Sequence, residues 1–292
     1  MFDTILFPTD GGEGAERVLE FVLDLAAASD ATVHVLYVAD ANVTSHADTS
    51  TGTVDVLVEE GERVVAEAAD RARERGVDTV EAVVQGEPYS TITEYADTHG
   101  VGGIVMPTHG RGVLGRFLLG SVATKVVRTA DVPVLTVRPE ATCTVPFDDV
   151  LVATDGSDCA EVAVERAAAV AAANGATLHV VSVVEIATYG PDAHATLNVD
   201  TFEERAEEAV AAAREIAAGH GVDVTTHVEH GGIHRKLLGT IEQTDADLAV
   251  AGTHGRTGFD RYLLGSVAEK LVRTAPVPVL TVREAVAEAE EE

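Results

Sequence analysis

The spacing of apolar residues switches period again and again along this chain. Residues 4–7 (TILF) form a short apolar run closed by Pro8 and Asp10-Gly11, the pattern of a buried parallel strand. Ala15, Val18, Leu19, Val22, Leu25 and Ala26 then recur at helical spacing. The pattern next predicts a strand over 32–38, a polar loop over 42–53, and a long amphipathic helix over 54–75 ended by Gly76. Strands follow over 79–84, 103–106 and 132–137, with helices over 89–98 and 121–129, the last with room to begin a turn or two earlier. Pro133 suits an edge or the start of a strand better than a central position.

The whole pattern then runs a second time, each residue number raised by 145. Thr9-Asp10-Gly11 returns as Thr154-Asp155-Gly156, and Thr108-His109-Gly110-Arg111 as Thr253-His254-Gly255-Arg256. Residues 118–123 (LLGSVA) return at 263–268, and 127–138 match 272–283 except that Asp131 becomes Pro276. One constant offset over such a length establishes a duplication. The expected division is a first domain over 1–140, a second over 146–284, and an acidic tail over 285–292. The order βαβαβαβαβ implies α/β domains, each a five-stranded parallel sheet with helices on both faces. Ligands bind such sheets beyond the carboxyl ends of the strands, where strand order reverses. The loops after strands one and four should therefore share one crevice.

Composition narrows the function. Acidic residues number 49 against 20 basic ones, a net charge of −29. Such a surface repels nucleic acid and anionic membranes, so neither is expected as a partner. The acid-rich composition, with only Lys125, Lys236 and Lys270 as lysines, is of the kind seen in salt-loving organisms, where ions screen self-repulsion. No apolar run reaches membrane-spanning length and the first residues read as a strand rather than a leader, so a cytoplasmic location is expected. Cys143 and Cys159 match no metal or disulfide spacing.

The candidate chemistry lies in the faithfully repeated loops. In the second repeat Gly252-Thr-His-Gly255 is followed, nine residues on, by Gly265-Ser266 at a helix start. Glycines let backbone approach closely, and the free amides and dipole of a helix N-terminus favour phosphate. Asp155, at the end of the first strand of the repeat, can accept hydrogen bonds from ribose or adenine. The plainer alternative is that these glycines only turn the chain. Five basic residues flank the loop in each repeat: Arg111, Arg116, Lys125, Arg128 and Arg138, then Arg256, Arg261, Lys270, Arg273 and Arg283. They suit a triphosphate, or alternatively complement helix C-termini and pair with acids elsewhere.

The pattern G-x2-G-x9-G-S, a T-D segment after strand one and VPVLTV at the end together resemble the universal stress proteins, and the resemblance covers nearly the whole chain. It implies tandem Rossmann-like, adenine-nucleotide-hydrolase-like domains binding ATP, with or without Mg²⁺. Carried over by position it implicates Thr154, Asp155, Val183, Gly252, His254, Gly255, Arg256, Gly265, Ser266 and Val267. The matching positions in the first repeat are Thr9, Asp10, Val38, His109, Gly110, Arg111, Gly120, Ser121 and Val122, with Pro107 where the first motif glycine belongs. Proline removes an N–H and adds a ring there.

The resemblance further implies an intrachain pseudo-dimer pairing through residues 132–137 and 277–282, and allows a further homodimer. A stress-response binding module without dedicated catalysis is expected. A slow ATPase or nucleotidyl-transfer enzyme and a ligand-free scaffold are the alternatives. Other motifs carry less. Gly110-x-Gly112-x-x-Gly115 spells a dinucleotide fingerprint but follows the wrong strand and is not repeated. His227, His230 and His234 have metal-like spacing, yet their counterparts are Ala82, Gln85 and Tyr89. His109 and His254 have no paired nucleophile and are expected to orient the loop.

Overall fold

The first strand of each repeat is buried residue after residue, which happens only when both faces of a sheet are covered. Ile5, Leu6 and Phe7 are at most 1% exposed, and Val150, Leu151 and Val152 are wholly buried. The computed structural model describes residues 2–40, 52–110, 119–185, 199–255 and 264–284. In the first repeat these form β1 (Thr4–Thr9), α1 (Glu13–Ser29), β2 (Thr32–Asp40), α2 (Gly52–Glu74), β3 (Thr79–Gly86), α3 (Pro88–His99), β4 (Gly103–Pro107), α4 (Ser121–Thr129) and β5 (Val134–Val137). The second repeat gives β6 (Asp149–Ala153), α5 (Asp158–Asn174), β7 (Thr177–Val184), α6 (Val199–Ala218), β8 (Val224–His230), α7 (Ile233–Gln243), β9 (Leu248–Gly252), α8 (Ser266–Thr274) and β10 (Val279–Val282).

Strand order is β3-β2-β1-β4-β5 in the first repeat and β8-β7-β6-β9-β10 in the second. β1 pairs in parallel with β2 on one side and β4 on the other, and β6 does the same with β7 and β9. The order therefore reverses beside β1 and β6, as the alternation of elements predicted.

The strands run further than the apolar pattern showed. β1 passes through Pro8 to Thr9, which pairs with Tyr37, and β2 and β3 extend until Asp40 pairs with Gly86. Residues at the carboxyl edge keep their pairing whatever their side chains, so hydrophobicity alone undercounts them. The last strand is shorter than expected. It begins at Val134, and Pro133 contributes only its carbonyl, accepting from Ile104 N at 3.0 Å. α4 starts at Ser121 with Gly120 as its cap, and no earlier turn joins it among the described residues.

Helix ends follow local chemistry. Ser157 caps α5 by accepting from Ala160 N, and Glu87 caps α3 by accepting from Ser90 N, with Pro88 in the first turn. Each such cap contributes about 1 kcal/mol. The face of α1 that buries Val18, Leu19, Phe21, Val22, Leu23 and Leu25 outweighs it, at about 1.5–3 kcal/mol for each large side chain.

By its contacts the chain divides into two units, Met1–Phe147 with Glu269–Leu280, and Asp148–Ala268 with Thr281–Glu292. Inside the first unit, Thr136 Oγ1 donates to Val279 O at 3.1 Å and Thr142 N to Pro276 O at 2.9 Å. Arg138 donates to the carbonyls of Thr274 and Ala275 at 3.1 and 3.2 Å and pairs with Glu140. No helix among the described residues is long and apolar enough to cross a membrane.

Candidate functional site

In the second repeat the chain leaves β6 through a turn fastened by its own side chains. Thr154 Oγ1 accepts from Gly156 N at 3.1 Å. Asp155 Oδ1 accepts from Ser157 N at 3.0 Å and from Ser157 Oγ at 2.6 Å. Beside it the chain leaves β9 at Gly252. Thr253 N donates to Val282 O at 2.9 Å, and Gly265 N donates to Thr253 O at 2.7 Å. That second bond folds the start of α8 back onto the end of β9. Thr253 Oγ1 and His254 Nδ1 lie 2.9 Å apart, which fixes the imidazole, while His254 Nε2 is buried with no hydrogen-bond partner.

These segments enclose a cavity of about 400 Å³, within the range of small-molecule sites. Thr154, Asp155, Val183, Gly252, His254, Gly255, Gly265, Ser266 and Val267 all line it, so every expected residue of this repeat that the structure describes is brought together. Arg256 lies outside the described residues, as do Arg111, Arg116 and Arg261. The sequence reading missed Ile233, Leu237, Val181, Ala251, Ala153, Ala160 and Glu185 in the same lining. One available signal was position: α7 begins directly beyond β8, so its first turns belong to the same carboxyl edge as the motif.

The first repeat reproduces the arrangement. Gly11 N donates to Thr9 Oγ1 at 3.1 Å and Gly12 N to Asp10 Oδ1 at 2.9 Å. Gly120 N donates to Thr108 O at 2.8 Å, and Thr108 Oγ1 lies 3.1 Å from His109 Nδ1. Thr9, Asp10, Val38, His109, Gly110, Gly120, Ser121 and Val122 line a cavity of about 290 Å³, joined by Pro8, Leu36, Pro88, Ile92, Met106 and Pro107.

The motif glycines serve internal packing. A methyl on Gly255 would come 2.7 Å from Asp155 Oδ2, and one on Gly265 would come 3.1 Å from Thr253 O. A methyl on Gly252 would meet Cys159 Sγ at 2.9 Å and Cys159 O at 3.0 Å, so this glycine makes room for the first turn of α5. The first repeat inverts the sizes: Pro107 replaces the glycine, and Gly14 stands where Cys159 would be. Pro107 keeps its place opposite Val137, and Thr108 N donates to Val137 O at 2.9 Å. A methyl on Gly14 would meet Pro139 Cγ at 3.1 Å and His109 O at 3.5 Å, so this glycine makes room for the chain beyond β5 and for the motif loop. Gly103, which pairs with Ile5, corresponds to Leu248, which pairs with Val150, and the counterpart of Asp247 is Gly102; all lie toward the opposite edge of the sheet. A methyl on Gly103 would strike the Phe2 ring, whereas Asp247 Oδ2 accepts from Asp148 N and Asp149 N at 2.8 and 3.1 Å.

Part of the expected basic patch has structural work. Lys125 pairs with Glu87 at 3.2 Å and sits 4.2 Å from the Tyr89 ring centre, and Arg138 is engaged as described. Arg128 and Arg273 occupy last helical turns, where they complement the dipole. The three histidines separate: His227 meets His179 at 3.3 Å, His230 lies 3.6 Å from Glu203, and His234 is on α7. No group of three His, Cys, Asp or Glu side chains suited to a metal occurs among the described residues.

Known proteins share this architecture. The whole chain is similar to a universal stress protein of Archaeoglobus fulgidus, with a TM-score of 0.75 at 27% identity over 96% of this chain and 98% of that one. A Pseudomonas aeruginosa structure described as a universal stress protein shares the fold, with a TM-score of 0.63 at 23% identity over 97% of this chain and 93% of that one. A Staphylococcus aureus protein named as a universal stress protein is 39% identical over 148 residues, 48% of this chain and 86% of its own length. The profile of the universal stress protein family matches residues 1–138 and again 146–283. The chain therefore belongs to the universal stress protein family and carries two of its domains in tandem.

Proposed function

We propose that the second repeat binds ATP in its 400 Å³ cavity, and that the chain acts as a nucleotide-responsive stress protein without dedicated catalysis. One observation carries the reading. Segments about a hundred residues apart, the turn after β6 and the loop between β9 and α8, close on one cavity whose ends differ in chemistry. At one end, the first-turn amides of α8 lack intrahelical acceptors and, with Ser266, offer donors to phosphate. At the other, Val181, Val183, Ile233 and Leu237 form an apolar wall for a base.

His254 Nε2, buried and unpaired, supports the same reading, since a buried polar atom without a partner is costly and a ligand oxygen would satisfy it. Any Mg²⁺ would travel with the phosphates. Asp155 and His254 act chiefly as fasteners of their own loops, which favours binding over turnover.

A ligand-free scaffold is the rival, because each motif glycine already has an internal packing reason. The deciding experiment releases ligand from freshly purified protein by denaturation and counts it per chain by mass spectrometry, with Gly265→Val alongside. Bound ATP that the variant loses supports the proposal. No ligand, and no binding of added ATP at high salt, leaves the scaffold.

A further inference from the structure

Each residue lining the first cavity has its counterpart in the second, which adds Ala160 and Glu185, and size differs most at 106/251 and 107/252. Met106 lines the first where Ala251 lines the second. Methionine carries three heavy atoms beyond Cβ and alanine none. Leu36 against Val181 and Pro8 against Ala153 differ in the same direction, and the cavities measure about 290 and about 400 Å³. Met106 and Ala251 are 5% and 3% exposed, so they form inner wall rather than mouth. They share the lining with the apolar residues Val38 and Ile92 in one repeat, Val183 and Leu237 in the other. Pro107 against Gly252 differs by as many heavy atoms, and single substitutions at 106 and 251 separate the two causes.

We infer that Ala251 makes the second cavity a site for a purine nucleotide enlarged on its base, a ligand that Met106 shuts out of the first. The inference rests on the nucleotide reading above and adds the class of ligand each site admits. A close-packed apolar wall cannot absorb extra atoms, and one methylene changes selection in such a pocket by roughly 10- to 200-fold. The three-atom difference at 106/251 is ample for that.

The test uses the full chain with one loop disabled at a time, by Gly120→Val or Gly265→Val, and titrates ATP, N6-benzyl-ATP and 2-methylthio-ATP. In the Gly120→Val chain, at least one enlarged analogue should bind within threefold of ATP. Adding Ala251→Met should weaken that analogue at least tenfold more than it weakens ATP. The reciprocal Met106→Ala, which only opens space, should admit the analogue to the first cavity of the Gly265→Val chain. ATP binding with an analogue-to-ATP ratio that neither substitution moves overturns this inference and leaves the nucleotide reading standing. A Gly120→Val chain that binds no ATP overturns both.

Discussion

Gly255 lies so close to Asp155 that its Cα hydrogen occupies the only space left: a methyl there would stand 2.7 Å from Asp155 Oδ2. Asp10 and Gly110 make the same approach in the first repeat. The turn after the first strand and the motif loop are thus fitted to each other before any ligand arrives. Gly255→Ala should lower unfolding free energy by about 1–3 kcal/mol and weaken ATP tenfold or more. Gly239→Ala, in α7 with nothing within 4 Å of the added methyl, should stabilise by about 0.5–1 kcal/mol. Urea melts of both variants check this. A Gly255→Ala chain as stable as the parent would show that the loops are not packed on each other.

Gly252 and Cys159 should be energetically coupled. Gly252→Ala alone is expected to cost about 1–3 kcal/mol. Cys159→Gly in the same chain should recover part of that loss, because it removes Sγ but leaves the Cys159 carbonyl, 3.0 Å from the added methyl. A double-mutant cycle by urea denaturation should give an interaction energy of roughly 0.5–3 kcal/mol, and strict additivity would refute the contact.

Histidines give the second repeat a pH dependence. Burial, then the neighbouring His179, holds His227 below its ordinary value of 6.5, with Glu229 acting weakly the other way. His179 Nε2 is itself 2.8 Å from Asp149 Oδ1. A histidine with a depressed folded value binds fewer protons folded than unfolded, so stability rises with pH across the gap. The contribution is intact above 6.5 and is lost as pH falls from there toward the folded value. Thermal melts from pH 7.5 to 5.5 should show a drop that His227→Gln makes shallower. An unchanged slope would remove His227 as the cause.

Thiol chemistry should be slow in the folded chain. Burial pushes the Cys143 thiol up to about 11, leaving about a thousandth as thiolate at pH 8. Cys159 is buried, with Sγ 3.5 Å from Val282 O. Iodoacetamide should label both at least tenfold faster in urea than in buffer, read by peptide mass spectrometry. Rapid labelling of Cys143, which is half-buried, would show that its thiolate is not suppressed in the native chain.

The net charge of −29 predicts a salt effect. Raising NaCl from 0.1 to 1 M shortens the screening length from about 10 to about 3 Å, so the melting temperature should climb by several degrees. A flat or falling curve would mean that the acids are already compensated.

Much of this was legible in the chain because repetition and period are local properties. The constant offset located both copies, and glycines at fixed intervals located the loops that line the cavities. Pro8, Asp40 and Gly86 escaped because strand pairing at the carboxyl edge does not require apolar side chains. Ile233, Leu237, Ala251 and Met106 escaped for another reason: each is an ordinary apolar residue whose role depends on what lies across the crevice. For Lys125 and Arg138 the sequence left open a phosphate patch or pairing with acids and helix ends, and Glu87, Glu140 and the end of α8 lie beside them.

The seats of Gly252 and Gly14 also limit how residues can be exchanged between the halves. A methyl on Gly252 meets Cys159, whereas one on Gly14 meets Pro139 Cγ at 3.1 Å and His109 O at 3.5 Å. The position matching Pro139 in the second half is Glu284. A cysteine carried alone from 159 to 14 would therefore arrive against a proline ring where its own half has a flexible carboxylate side chain at the matching position.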